Sequence, residues 1–283
     1  MIESPALQSP EDPVADVPGE ESHADLAPEG NMKIIAVTNI KGGVGKTTAA
    51  VNLAYLCAAG GKPTLLWDLD PQGAATYILG VEPNEHEAAS AKKLLTGKRD
   101  IPELIIETGY PNLDLLPANL SYRKFDIHLN EQKNPTERLL KMSRSLRETY
   151  AALFLDCPPG ISLLSENVLH AADVAVVPLV PSPLSVRMLV QLRDFIEDQG
   201  WVDLVLLPFF SMVDVRRSLH HEFMHGTRKQ FPNILKTEVP YWSEIERMSV
   251  RRAPLPVVSP SGEATGIYEV LWREMTERIG KRF

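Results

Sequence analysis

Residues 34–59 read IIAVTNIKGGVGKTTAAVNLAYLCAA. A β-branched run, Ile34 to Thr38, leads into a glycine-rich turn, Lys41-Gly42-Gly43-Val44-Gly45-Lys46-Thr47-Thr48, and an apolar helix-forming stretch follows from Thr47 to Ala59. Strand, loop and helix in that order are what a phosphate-binding loop requires. Gly42, Gly43 and Gly45 let main-chain N–H groups curl around a polyphosphate with no Cβ in the way, at the positive end of the following helix. In such a loop Lys46 reaches the β- and γ-phosphates and the Thr47 hydroxyl ligates Mg²⁺, with Val44 and Thr48 completing the octet. The common pattern has a glycine at position 40, five residues before Gly45; here Ile40 stands there and a second lysine, Lys41, opens the loop. A turn with merely solvated lysines is the competing interpretation, and the complete match in its strand–loop–helix context outweighs it.

Beyond this segment, short β-branched or leucine-rich runs keep alternating with helical ones. Strands are predicted at Ile34 to Thr38, Thr64 to Asp68, Leu113 to Leu116, Leu153 to Asp156, Val174 to Pro178, Val202 to Leu207 and Leu235 to Val239. Helices are predicted at Thr47 to Ala59, Ser162 to His170, Leu184 to Gln199, Arg216 to Gln230 and Glu263 to Ile279. This alternation implies crossover connections, hence an α/β fold: a doubly wound, mainly parallel sheet with helices on both faces and its ligand site at the carboxyl ends of the strands. The stretch from Val81 to Tyr150 is the least legible.

Two carboxylate-bearing segments sit where that site would form. Leu65-Leu66-Trp67-Asp68-Leu69-Asp70-Pro71-Gln72-Gly73 follows the second strand, and Leu153-Phe154-Leu155-Asp156-Cys157-Pro158-Pro159-Gly160 runs off a later one. A carboxylate at a strand's carboxyl end can hold Mg²⁺ through water, the expected task of Asp156; Pro158 and Pro159 stiffen the next turn, and Gly160 lets a main-chain N–H approach a γ-phosphate. Taken alone, such an acid is as often a helix cap. Trp67 is bulky where a small aliphatic residue is common.

Together, the loop with its second lysine and these two segments resemble the deviant Walker A P-loop ATPases of the ParA/MinD family, over about Met32 to Phe283. The resemblance implies ATP and Mg²⁺ as cofactors, a face-to-face homodimer on ATP, and Lys41 reaching the partner subunit's phosphates. It also implies that Asp70 positions or activates the attacking water, that Asp68 supports Mg²⁺ and the switch, and that Met212 and Pro240 flank adenine.

Charge and composition help to choose a branch. The 283 residues are 44% hydrophobic, ample for a large core, and the net charge is −8. Eight acids and no Lys or Arg fall in residues 1–31, whereas the remaining 252 hold 29 acids and all 29 basic residues. With five prolines and no apolar period, 1–31 are expected to form an acidic, disordered tail, too poor in apolar residues to make a helix-turn-helix domain, and 32–283 the ATPase domain. The body is free to present a basic face. Two cysteines and the lack of a signal segment point to a cytoplasmic chain, and no apolar run reaches the ~20 residues of a membrane span.

An iron–sulfur branch would need paired cysteines, but Cys57 lies in the first helix and Cys157 stands alone; both are expected as small buried residues. A tyrosine-kinase branch would carry a tyrosine cluster near the C-terminus, where only Tyr268 stands. A MinD-like membrane branch would end in a basic amphipathic helix. Here Ile267, Val270, Leu271, Met275 and Ile279 form a stripe expected to pack on the sheet, only four residues follow, and Trp272 and Phe283 alone favour membrane attachment.

What remains is DNA. Partition ATPases of the resembled family bind nucleoid DNA without sequence preference through basic residues in the C-terminal third, and Arg216, Arg217, Arg247, Arg251 and Arg252 stand at matching places. A solvated charged surface, or ion pairs with Glu222, Glu244 and Glu246, is the competing role. The resemblance therefore implies a nucleoid-associated ATPase that positions or segregates a DNA or protein cargo. With no arginine finger of its own, it turns over slowly until stimulated by a ParB-like partner or cargo adaptor. A membrane-recruited ATPase and a nucleotide-binding regulator with negligible turnover are the alternatives.

One motif points elsewhere. His221-Glu222-Phe223-Met224-His225 satisfies the zinc-protease pattern H-E-x-x-H, but Leu219 and Phe223 are the expected apolar pair of that helix, so both histidines should face water.

Overall fold

The computed structural model describes residues 32–83, 90–214 and 216–280. The expectation for residues 1–31, and the one on Phe283, concern positions outside those described. Eight strands, β1 (Lys33–Val37), β2 (Thr64–Asp68), β3 (Ile106–Tyr110), β4 (Leu113–Leu116), β5 (Ala152–Asp156), β6 (Val174–Leu179), β7 (Val205–Val213) and β8 (Glu238–Pro240), form one sheet in the order β3-β4-β2-β5-β1-β6-β7-β8. All of these pairings are parallel except β3 with β4. The strand order reverses on either side of β1, and the glycine-rich loop leaves from there.

The helices are α1 (Lys46–Ala59), α2 (Ala74–Ile78), α3 (Ala91–Leu95), α4 (Phe125–Asn130), α5 (Arg138–Met142), α6 (Leu163–Ala171), α7 (Pro183–Asp198), α8 (Ser218–Gln230), α9 (Ser243–Arg251), α10 (Leu255–Val258) and α11 (Glu263–Ile279). Alternate residues of each central strand feed opposite faces of the sheet. Ile35, Val37, Leu66 and Phe154 pack with α1, α2 and α9 to α11, whereas Ile34, Ala36, Leu65, Trp67 and Leu155 pack with α3 to α6. Ala175, Val177 and Phe210 continue that second face beneath α7 and α8. Both faces are covered, as expected.

Between residues 90 and 150, α3, α4 and α5 build the cover over one face. Trp67 is fully buried there in the same cluster as Tyr122 and Phe125, so its bulk fills the space this segment encloses. The edge strand β3 was not predicted. Its residues alternate between half-buried and exposed, leaving no apolar run to detect, and Asn112, at φ 61°, turns the chain back into β4.

Three elements depart furthest from their expected boundaries, and a fourth, α9, was not expected. The β7 strand starts three residues later and runs on through Pro208 to Val213, because Trp201 to Leu204 form a turn that leaves Val202 90% exposed. The β8 strand is shorter, since the N–H groups of Lys236 and Thr237 go instead to the Glu274 carboxylate of α11. The α8 helix starts only at Ser218, because the Arg216 N–H is taken by Asp214 Oδ1 in a turn. The α9 helix was missed altogether, its apolar face being only partly buried.

Two apolar stripes are also corrected. In α11 the buried row is Ala264, Tyr268, Leu271, Met275 and Ile279, while Val270 is 46% exposed. In α8 Met224 and Thr227 face inward and Leu219 is 70% exposed, although His221 and His225 do lie on the exposed side. No metal-holding group of three or more His, Cys, Asp or Glu occurs among the described residues.

Candidate nucleotide site

The loop between β1 and α1 crosses the carboxyl end of the sheet. Gly43 and Gly45 adopt φ 68° and 90°, a left-handed backbone that disfavours any side chain, and a Cβ on Gly45 would meet Ser211 Oγ at 3.0 Å. Glycine is therefore demanded at both. Buried Asn39 pins the start of the loop, donating to the Pro178 carbonyl (2.7 Å) and accepting from the Lys41 N–H (2.9 Å). Nothing in its local sequence marks Asn39 for this role, because its partner Pro178 is distant in the chain. The Lys46 side chain is buried and folds back to donate to the Lys41 carbonyl (3.2 Å). Burial lowers its pKa, and Asp156 is the foremost charge opposing that shift.

Asp156 is the last residue of β5 and is fully buried, and neither carboxylate oxygen has a hydrogen-bond partner of good geometry. Burial, followed by the neighbouring Asp68, raises its pKa well above the ordinary carboxylate range; the Thr47 hydroxyl, close by, opposes this. A buried, unpartnered carboxylate beside a phosphate loop is costly unless a cation answers it. The donors here are oxygens, the chemistry that suits Mg²⁺, so Asp156 and Thr47 fit the expected metal.

Asp68 has a different environment. Its Oδ2 accepts from the Thr76 N–H and hydroxyl, both at 2.8 Å, and its Oδ1 accepts from the Asp70 N–H (3.2 Å). Burial raises its pKa to about 6. It thus clamps the turn that carries Asp70 onto α2. Asp70 is half-buried, accepts the Gln72 N–H (2.9 Å) and lies near enough to Lys46 to act on its charge. Across the loop, Gly42 approaches the Pro159 ring, and Gly160 takes φ 112°, open only to glycine. Cys57 and Cys157 are both buried, as expected, and burial raises both thiol pKa values.

A cavity of about 300 Å³ opens beside the loop. Met212 and Pro240 line it together with Gly45, Thr48 and, unforeseen, the aromatic Tyr241 and Trp242. Met212 holds φ 54° at an irregularity in the β7–β8 pairing. The phosphate loop, both carboxylates and the cavity therefore meet at one end of the sheet.

A family model described as an AAA domain matches residues 32–199. Over 248 residues the chain is 32% identical to the sporulation initiation inhibitor protein Soj of Bacillus subtilis, covering 86% of this chain and 98% of that one. The chain belongs to the ParA/MinD family of P-loop ATPases. It is also 31% identical over 260 residues to the chromosome-partitioning ATPase Soj of Treponema pallidum, covering 88% and 99%. A variant of Cyanothece McdA in complex with ATP shares its fold, with a TM-score of 0.75 at 18% identity over 87% of this ParA-family chain and 97% of McdA.

The expected basic residues divide. Arg216 and Arg217 are strongly exposed and share one carboxylate, Asp214, whose pKa the hydrogen bonds of Arg216 and the charges of both hold down to about 2. Arg247 and Arg251 are exposed on α9. The ion pairs foreseen with Glu244 and Glu246 are not what these carboxylates make: Glu244 caps α11 at the Ala264 N–H, and Glu246 accepts the Tyr241 hydroxyl. Arg252 is half-buried and pairs with the exposed Glu82. Trp272, expected as a possible membrane contact, packs near Phe154, and no helix among the described residues is long and apolar enough to cross a membrane.

Proposed function

We propose that this ParA-family chain is a Mg²⁺-dependent ATPase that dimerises face to face on ATP, binds nucleoid DNA without sequence preference as that dimer, and lets go when a partner stimulates hydrolysis. The cycle would position or segregate a DNA or protein cargo. The observation that carries the DNA branch is the placement of the exposed arginines. The Arg216–Arg217 turn and α9 leave the carboxyl ends of neighbouring strands β7 and β8, at the end of the sheet that holds the phosphate loop. Basic side chains there need only neutralise phosphates, and a dimer would present two such sets.

In the site, Thr47 and Asp156 would hold Mg²⁺, with Asp68 adding negative charge behind them. The metal would neutralise charge on the phosphates. Lys46 would exchange the Lys41 carbonyl for phosphate oxygens, Lys41 would serve the partner subunit, and Asp70 would orient the attacking water. Met212 and Pro240 would flank adenine, with Tyr241 and Trp242 offering stacking surfaces. With no arginine finger among the described residues of the site, turnover is slow until a ParB-like protein or cargo adaptor reorders the loops.

Co-sedimentation with DNA and with anionic vesicles, each with ATP, ADP or no nucleotide, tests this reading. ATP-dependent pelleting with DNA supports it. Pelleting with vesicles instead would favour membrane recruitment, and nucleotide binding with neither would favour a regulator.

A further inference from the structure

Arg252 occupies a position that ordinarily suits glycine. It ends α9 at φ 52° and ψ 51°, the left-handed conformation that glycine takes without strain and arginine does not. Its side chain is held by Tyr77 of α2 and by Glu82. Nε donates to the Tyr77 carbonyl (3.2 Å), Nη1 donates to Glu82 Oε1 (2.7 Å), and the guanidinium lies 4.8 Å from the centre of the Tyr77 ring. A strained residue held by contacts on three sides points to a role beyond closing a helix.

Those contacts lead to the carboxylates of the nucleotide site. Tyr77 belongs to α2, and its neighbour Thr76 gives both its N–H and its hydroxyl to Asp68, which in turn holds the Asp70 N–H. The other side of α9 meets the cavity beside the phosphate loop through Ile245, Met248 and Ser249. Buried Asn52 of α1 adds a second tie: it donates to the Thr48 carbonyl and Met248 Sδ and accepts from the Leu255 N–H just beyond α9. Thus α9 touches the two ends of the site, the cavity end directly and the carboxylate end through α2, by way of Arg252 and of Ile78 at the cavity wall.

We infer that Arg252 is a latch that passes the state of the Asp68–Asp70 turn to α9, and is not itself a contact to DNA. ADP and ATP share their base, so the cavity route cannot tell them apart. Only a γ-phosphate has differential contacts to offer the Asp68–Asp70 turn, and Arg252, bonded to the Tyr77 carbonyl and lying on the Tyr77 ring, is a polar link from the helix beside that turn to α9, alongside the apolar packing of Ile78 near Met248. Arg252 is in this sense a positioning residue for Arg247 and Arg251. That consequence rests on the proposed binding of DNA; the latch does not.

Hydrogen exchange of residues 249–255 in the full chain tests it, with Mg²⁺ and either ADP or a non-hydrolysable ATP analogue. In the parent protein the two nucleotides should give exchange rates differing about tenfold, within the usual range of allosteric coupling. Arg252→Gly relaxes the strained backbone and so keeps the helix end. It should abolish the difference between analogue and ADP while preserving the difference between ADP and no nucleotide. Tyr77→Phe, which keeps the ring and the carbonyl, should behave like the parent, and Tyr77→Ala like Arg252→Gly. A merely structural role would raise exchange equally in every state. A parent with no analogue–ADP difference, or an Arg252→Gly variant that retains it, overturns the latch.

Salt titrations of DNA binding complete the test. With the analogue bound, the parent and Arg252→Gly should share one slope, whereas a slope shallower by about 1.8 for the dimer would make Arg252 a phosphate contact and overturn the inference. Absence of DNA binding by the parent would defeat the proposed function and leave the exchange experiment to judge the latch.

Discussion

Asp68 and Asp156 are register partners at the carboxyl ends of the adjacent parallel strands β2 and β5; both are buried, and the charge of Asp68 helps burial to raise the pKa of Asp156. Only Asp68 is answered by hydrogen bonds. The fold therefore places two carboxylates side by side, satisfies one with protein donors and leaves the other unpaired.

This asymmetry sets a pH dependence. A carboxylate whose pKa is raised on folding binds its proton more tightly in the native state, so its contribution to stability falls as pH rises from the unfolded value near ~4 through the native value, about 6 for Asp68. Asp214, held at about 2, acts in the opposite sense and only below that window. Nucleotide-free protein should thus lose stability between about pH 4 and 7. Asp156→Asn should flatten that loss and gain about 1–3 kcal/mol at pH 8, a rise in Tm of roughly 2–10 °C. It should also lose the stabilisation that Mg²⁺ gives the parent. Calorimetry across pH decides it; a less stable variant that still responds to Mg²⁺ would count against the metal assignment.

The two lysines of the loop should separate in function. Lys46→Ala should abolish ATP binding, since its buried ammonium has no substitute. Lys41→Ala should bind ATP yet lose hydrolysis and the ATP-dependent dimer. Titration calorimetry and light scattering measure both, and a Lys41→Ala protein that dimerises and turns over like the parent refutes the role of that lysine.

Asp70→Ala should bind ATP but not hydrolyse it, accumulating an ATP-bound dimer that stays on DNA. Size-exclusion chromatography with ATP reads this directly. A monomeric elution speaks against Asp70 as the residue that sets up water attack.

For DNA, four exposed arginines per subunit, Arg216, Arg217, Arg247 and Arg251, would give a dimer about eight phosphate contacts. Affinity should then fall by roughly four orders of magnitude between about 50 and 200 mM salt. Changing all four to glutamate should remove binding, and deleting residues 2–31, with their eight acids, should strengthen it modestly. Gel-shift titrations on unrelated sequences check this; undiminished binding by the quadruple variant, or strong preference for one sequence, would sink the nucleoid reading.

The sequence alone determined the phosphate loop, the carboxylates at the strand ends and the doubly wound sheet. Each rests on local patterning: glycines at fixed offsets, acids ending β-branched runs, apolar runs alternating with helical ones. It did not reveal β3 or α9, whose residues are half-exposed and carry no clean period, nor the roles of Asn39, Tyr241 and Trp242, whose neighbours are distant in the chain. Tertiary structure alone decided how like residues divide. Asp68 and Asp156 are both strand-end acids, yet only one finds donors, because α2 folds over it. Arg251 and Arg252 are consecutive, yet one faces solvent and the other lies against Tyr77 of α2, because the chain turns left-handed at Arg252 beside a tyrosine from a remote helix. Such choices depend on which atoms arrive from elsewhere in the chain, and spacing along the sequence does not encode them.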